Sequence, residues 1–134
     1  MAKELVVRET LTDEMILVGK KITEILDDTG IKPNAAFWFF PVDGDVWKLI
    51  FASPLVRTEG PKKMYMKVHE AIANLPEDLP ALALKDISVV NDRDQLVSLL
   101  KKAIKTGSGL SDIRLSKSAI NGTYIEDALI YRLN

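Results

Sequence analysis

The chain contains no cysteine, which excludes disulfides, thiol nucleophiles and cysteine-ligated zinc or iron–sulfur sites. It has one histidine, His69, so a histidine metal cluster cannot form. Nor does it carry an excess of either charge: eighteen Lys and Arg against nineteen Asp and Glu leave a formal net charge of −1. A non-specific nucleic-acid binder usually carries a basic excess, so nucleic acid is not an expected partner. No apolar run approaches the roughly 20 residues of a membrane helix, and the opening MAKELVVRET is charged where a signal peptide has its apolar centre. The expectation is a soluble, cytoplasmic protein without membrane association. Neither the phosphate-binding pattern G-x-x-x-x-G-K-[ST] nor the nucleophile pattern G-x-S-x-G occurs.

What remains reads as one domain spanning residues 1–134, near the commonest domain size. Residues 11–29 form an amphipathic helix, with Leu11, Met15, Val18, Ile22 and Ile25 at helical spacing. Thr10, three residues before Asp13, resembles a capping box, and Gly30 supplies the stop. Leu5-Val6-Val7 is a candidate short strand ahead of it. Two β-rich runs, Ala36–Val42 and Val46–Ser53, flank Asp43-Gly44, a hairpin signal because both residues tolerate positive φ. Their continuous apolarity fits strands covered on both faces, or strands with one buried face and an aromatic face in use.

A second helix is expected from Pro61 to about Leu75, with Tyr65, Val68, Ile72 and Leu75 as its buried stripe. A proline-containing connector leads to a short strand at Ile87–Val90. Asp92 then caps a third helix with Gln95 at the reciprocal position, and Gly107 ends it. Two strands, Ile113–Ile120 and Thr123–Leu133, flank the turn signal Asn121-Gly122, which sets Lys117 opposite Glu126 and Ile113 opposite Ile130. The order is (β)αββαβαββ: an α+β fold with a mostly antiparallel sheet built from two hairpins and three helices packed on it.

The chemistry is thinner. The second helix begins with Lys62 and Lys63 where the backbone dipole favours acidic side chains. Arg57, Thr58, Lys62 and Lys63 around its free amides are therefore candidates for holding a small anion, with Tyr65 and His69 as accessory groups. The third helix serves as the contrast, since Asp92 and Asp94 at its start and Lys101, Lys102 and Lys105 at its end match the dipole without a ligand. Asp43, Asp45 and Lys48 suggest a metal-dependent nuclease, but Asp43 is what the turn requires and Asp45 and Lys48 fall on opposite strand faces. Arg114, Ser116, Ser118 and Asp127 share one face of the last hairpin and are read as exposed polar surface or the wall of a shallow groove. No catalytic set and no cofactor or metal site emerges. The leading expectation is a non-catalytic interaction or regulatory module with a protein partner or self-association; the alternative is an enzyme or binding domain for a phosphorylated or nucleotide-like anion at residues 57–63.

Overall fold

The structure, a computed structural model, describes residues 9–80, 82 and 84–134. The candidate strand at Leu5–Val7 lies outside the described residues. The elements run α1 (Asp13–Asp28), β1 (Ala35–Phe40), β2 (Lys48–Ala52), α2 (Pro54–Glu59), α3 (Pro61–Ala73), a short 3-10 turn at Leu84–Asp86, β3 (Ile87–Val90), α4 (Gln95–Ala103), β4 (Ile113–Ile120) and β5 (Thr123–Leu133). The five strands form one mixed sheet in the order β3-β2-β1-β5-β4. The two expected hairpins are antiparallel and join through an antiparallel β1–β5 pairing, whereas β3 lies parallel to β2. Among the described residues the fold is α+β with four helices rather than three. The unforeseen helix is α2, which starts where Ser53 Oγ accepts from Leu55 N and Pro54 supplies a preset first turn.

Both faces of the sheet are covered. Alternation along the central strands sends Ala36, Trp38, Leu49 and Phe51 into a core shared with Val18, Ile22 and Leu26 of α1 and Met64 and Val68 of α3. It sends Ala35, Phe37, Ile50 and Ala52 into a second core with Val97 and Leu100 of α4. This double cover explains why AFWFF and LIF read as unbroken apolar runs. The aromatic hairpin is core: Phe37, Trp38 and Phe51 have no exposed surface, and Phe40 and Trp47 have almost none.

Several caps and turns differ from their sequence signals. The cap of α1 is Thr12, not Thr10; its extended backbone and its Oγ, which accepts from Met15 N at 3.1 Å, open the helix two residues later. Leu11, just before the cap, is buried in the same core as Ile16, the arrangement that fixes how a chain enters a helix. The cap of α4 is Asp94, whose carboxylate accepts from Leu96 N and Val97 N; Asp92 instead binds Arg57. That helix ends at Ala103, ahead of Gly107. The buried face of α3 is Met64, Val68 and Ala71, while Tyr65, Ile72 and Leu75, expected as its buried stripe, are only partly buried.

Asp43-Gly44 does not make a two-residue turn. The β1–β2 ladder ends at Phe39–Lys48, because Pro41 has no N–H to continue it. The chain turns instead through Gly44 N donating to Pro41 O at 3.0 Å, with the Pro41 ring packed where a Gly44 side chain would stand. Asn121-Gly122 does make the expected turn, with φ of 47° and 82°. Among the described residues, no helix is long and apolar enough to cross a membrane.

Two buried polar contacts fasten α1 to the sheet, and both depend on a bulge in β5. Pairing of β1 with β5 shifts register between Ala36 and Phe37, which leaves Tyr131 as the extra residue. Consecutive residues Tyr131 and Arg132 can then both reach the same helix. The Tyr131 hydroxyl accepts from Trp38 Nε1 at 3.0 Å and donates to Ile16 O. Burial pushes that hydroxyl's pKa far up, so it stays protonated and keeps its donor role. Arg132, 3% exposed, forks onto Asp27 at 2.7 and 2.9 Å and also reaches Pro33 O at 3.1 Å.

Candidate functional site

The candidate anion site at residues 57–63 takes shape around Gly60. At φ 84° this glycine ends α2, its N–H donating to Val56 O at 2.9 Å, and begins α3 in the same step. Only a residue free to adopt left-handed backbone allows two helices to abut in this way. The surrounding side chains do not converge. Arg57 forks onto Asp92 at 2.9 and 3.2 Å, tying α2 to the turn before α4. Those hydrogen bonds raise the guanidinium pKa and hold the Asp92 carboxyl below its ordinary range. The Thr58 hydroxyl donates to the carbonyls of Pro54 and Leu55. Lys63 pairs with Glu59 at 2.9 Å, so the charge mismatch at the start of α3 is met one turn upstream. Lys62, Tyr65 and His69 alone come together. With Met66 and Glu70 they line a shallow, largely apolar groove of about 340 Å³ along the outer face of α3.

A different concavity, of about 450 Å³, gathers side chains from three distant parts of the chain: Glu9, Phe40 and Trp47, and Ser116, Lys117, Glu126 and Asp127. It lies at the end of the sheet where β1 gives way to its loop, since Phe40 stands opposite Asp127. Trp47 forms its floor: the Trp47 backbone N–H donates to Glu9 Oε1 at 2.9 Å and its indole N–H to Glu9 O at 3.2 Å. The Arg114 guanidinium lies 5.4 Å from the centre of the Trp47 ring. It also forks onto Asp127 at 2.6 and 2.7 Å, while Ser116 Oγ donates to the same carboxylate at 2.7 Å. Burial raises the Asp127 carboxyl, but the bonds from Arg114 and Ser116 and the nearby positive charge outweigh it, and the group stays below its usual range. A carboxylate held that firmly in its ionised form is a poor proton acceptor, so Ser116 gains no nucleophilic activation from it.

The unusual element of this site is in the backbone. Lys117, in the middle of β4, has φ 45°, a conformation that costs a non-glycine residue roughly 1–2 kcal/mol. The ladder pairs Ser116 with Asp127 and Ser118 with Ile125 but leaves out the Lys117–Glu126 step. Each strand thus spends one residue on the same irregularity, so the register survives while the faces exchange. Before it, Ile113 and Leu115 face the α4 core with Ala128 and Ile130; beyond it, Ile120 and Ile125 do. As a result neighbouring residues, Ser116 with Lys117 and Glu126 with Asp127, line the same concavity. Ser118, expected on the Arg114 face, falls past the exchange and donates to Ser116 O.

Sequence reasoning placed Arg114, Ser116 and Asp127 together correctly but missed Trp47, Lys117 and Glu9. A trace of the exchange is present in β4, where the large aliphatic side chains pass from a spacing of two to one of five between Leu115 and Ile120. Comparison of the chain with family models, with curated proteins and with solved structures found no match.

Proposed function

We propose that this chain is a non-catalytic interaction module whose contact surface is the end of the sheet around Lys117. The observation that carries the reading is the paired exchange at Lys117 and Glu126. Strained backbone persists where the surroundings impose it, and it concentrates at sites of recognition and switching. Here the strain turns a lysine into a concavity that already holds three carboxylates and a buried tryptophan.

The same end of the sheet is mixed in character. Val42 and Val46, on the β1–β2 loop, and Tyr124, beside the β4–β5 turn, are three of the five exposed large apolar side chains among the described residues. Apolar groups bordered by charges suit a protein partner better than a small metabolite. With Asp127 committed to Arg114 and Ser116, binding is favoured over proton transfer.

The test is affinity capture with the parent chain and with a Val42→Asp/Tyr124→Lys variant, compared by mass spectrometry, with a thermal melt to verify folding. A partner retained by the parent and lost from the folded variant supports the reading. Equal recovery from both chains overturns it. A thermal shift with phosphate or nucleotides that disappears in Lys63→Ala would instead support the anion alternative at residues 57–63.

A further inference from the structure

A separate surface, the outer face of α3, points to contact between two copies of this chain. Met66 is 55% exposed, the highest value for any large apolar side chain among the described residues. It stands midway between Lys62 and Glu70, four residues from each, and all three line one groove with Tyr65 and His69. The opposite face of the helix carries Met64, Val68 and Ala71 into the core, so this stripe points straight away from the domain.

The spacing is self-complementary. Rotating a second α3 antiparallel to the first about a two-fold axis at Met66 sets methionine against methionine. The same rotation places Lys62 of each copy opposite Glu70 of the other, and Tyr65 of each alongside the other's His69. An isologous contact has this property, in which residue i meets j and j meets i. Lys62 and Glu70 lie about 12 Å apart along the helix, which suits two ion pairs flanking a central apolar contact. In one chain Glu70 is also 3.8 Å from Lys67, an exposed pair too weak to hold it against a better partner.

We propose that α3 is a homodimer contact, antiparallel, centred on Met66 and fixed in register by the two Lys62–Glu70 pairs. A single helix face is a small interface, so association is weak and depends on concentration. This contact is independent of the surface around Lys117 and stands or falls separately.

The experiment is sedimentation equilibrium on the full chain from about 10 µM to about 1 mM, a range that reads dissociation constants in the weak regime. The parent is expected to move from monomer to dimer mass across it. Met66→Lys should hold the chain monomeric with an unchanged melting temperature, because the side chain is largely in solvent. Lys62→Glu alone and Glu70→Lys alone should each weaken association at least roughly tenfold, since the symmetry changes two contacts at once. The double variant Lys62→Glu/Glu70→Lys restores opposite charges in each pair and should return the parent's affinity. A monomer throughout the range overturns the proposal. So does a dimer indifferent to Met66→Lys, or a double variant as weak as the single ones.

Discussion

Replacing Gly19 by alanine sets two effects of opposite sign against each other at one position. Gly19 lies within α1, and alanine there favours the helix by up to about 1 kcal/mol. Against this, the added methyl would stand 2.5 Å from Tyr131 Oη and 2.7 Å from Trp38 Nε1. Both rings are fully buried, so neither can swing into solvent. Forcing them apart costs about 1–3 kcal/mol for overpacking. It also stretches the 3.0 Å bond between indole and hydroxyl, and a buried donor left without its acceptor costs about 1–3 kcal/mol more. The net expectation is a loss of about 3 kcal/mol, read as a lower urea midpoint at unchanged slope with fluorescence of the buried tryptophans as the probe. In a Tyr131→Phe background the same substitution should cost at least about 1 kcal/mol less, because one of its two obstacles is gone. If Gly19→Ala proves as stable as the parent, helix propensity has won and the close contact does not limit α1.

The other expectations concern charge and backbone. Asp27→Ala leaves Arg132 buried without its carboxylate; since Asp27 keeps some contact with water, the loss should lie near the lower end of the range for broken buried pairs, about 3 kcal/mol by denaturant unfolding. Lys117→Gly should leave stability unchanged or raise it by up to about 1 kcal/mol, while Lys117→Val should lower it, since valine resists left-handed backbone; equal effects from both would remove the case for strain. Asp92 and Asp127, both held low in the folded state, stabilise it above the ordinary aspartate range, and that contribution is lost as pH falls through their depressed values. Carboxyl carbon NMR should therefore find each titrating below a typical aspartate, with Arg57→Ala returning Asp92 upward and Arg114→Ala raising Asp127. An Asp92 titration untouched by Arg57→Ala would mean the two do not pair in solution.

Local chemistry in the sequence was legible wherever it acted alone. Asn121-Gly122 fixed both the turn and the β4–β5 register, and the strands at Ile87–Val90, Ile113–Ile120 and Thr123–Leu133 fall where their patterns place them. What was hidden depended on contacts between distant segments. Pro41 looks like an ordinary residue of an apolar run until its missing N–H closes the ladder early. By spacing Asp92 is the better cap, with Gln95 at the reciprocal position, but in the fold Asp92 pairs with Arg57, thirty-five residues away, and Asp94 caps the helix. The bulge at Tyr131 leaves no mark in the unbroken run ALIYRL, because both neighbours of the extra residue are buried whichever way they point. Of the six candidate site residues, the outer face of α3 collects Lys62, Tyr65 and His69, while Arg57, Thr58 and Lys63 are engaged elsewhere.

The order β3-β2-β1-β5-β4 also governs when this molecule can fold. β5 comes last of the described strands in chain order, yet it lies inside the sheet, between β1 and β4. Until Leu133 clears the ribosome, the β1 edge that will receive it is an open row of donors and acceptors, and Trp38 lacks the hydroxyl that satisfies it. The strand pair β1–β2 can form early from local contacts, but closure waits for a partner about ninety residues downstream in the chain, the kind of long-range pairing that slows folding. Through that interval the most apolar part of the sequence has an unfilled place beside it, an open edge of the kind that exposes a partly folded chain to misassembly.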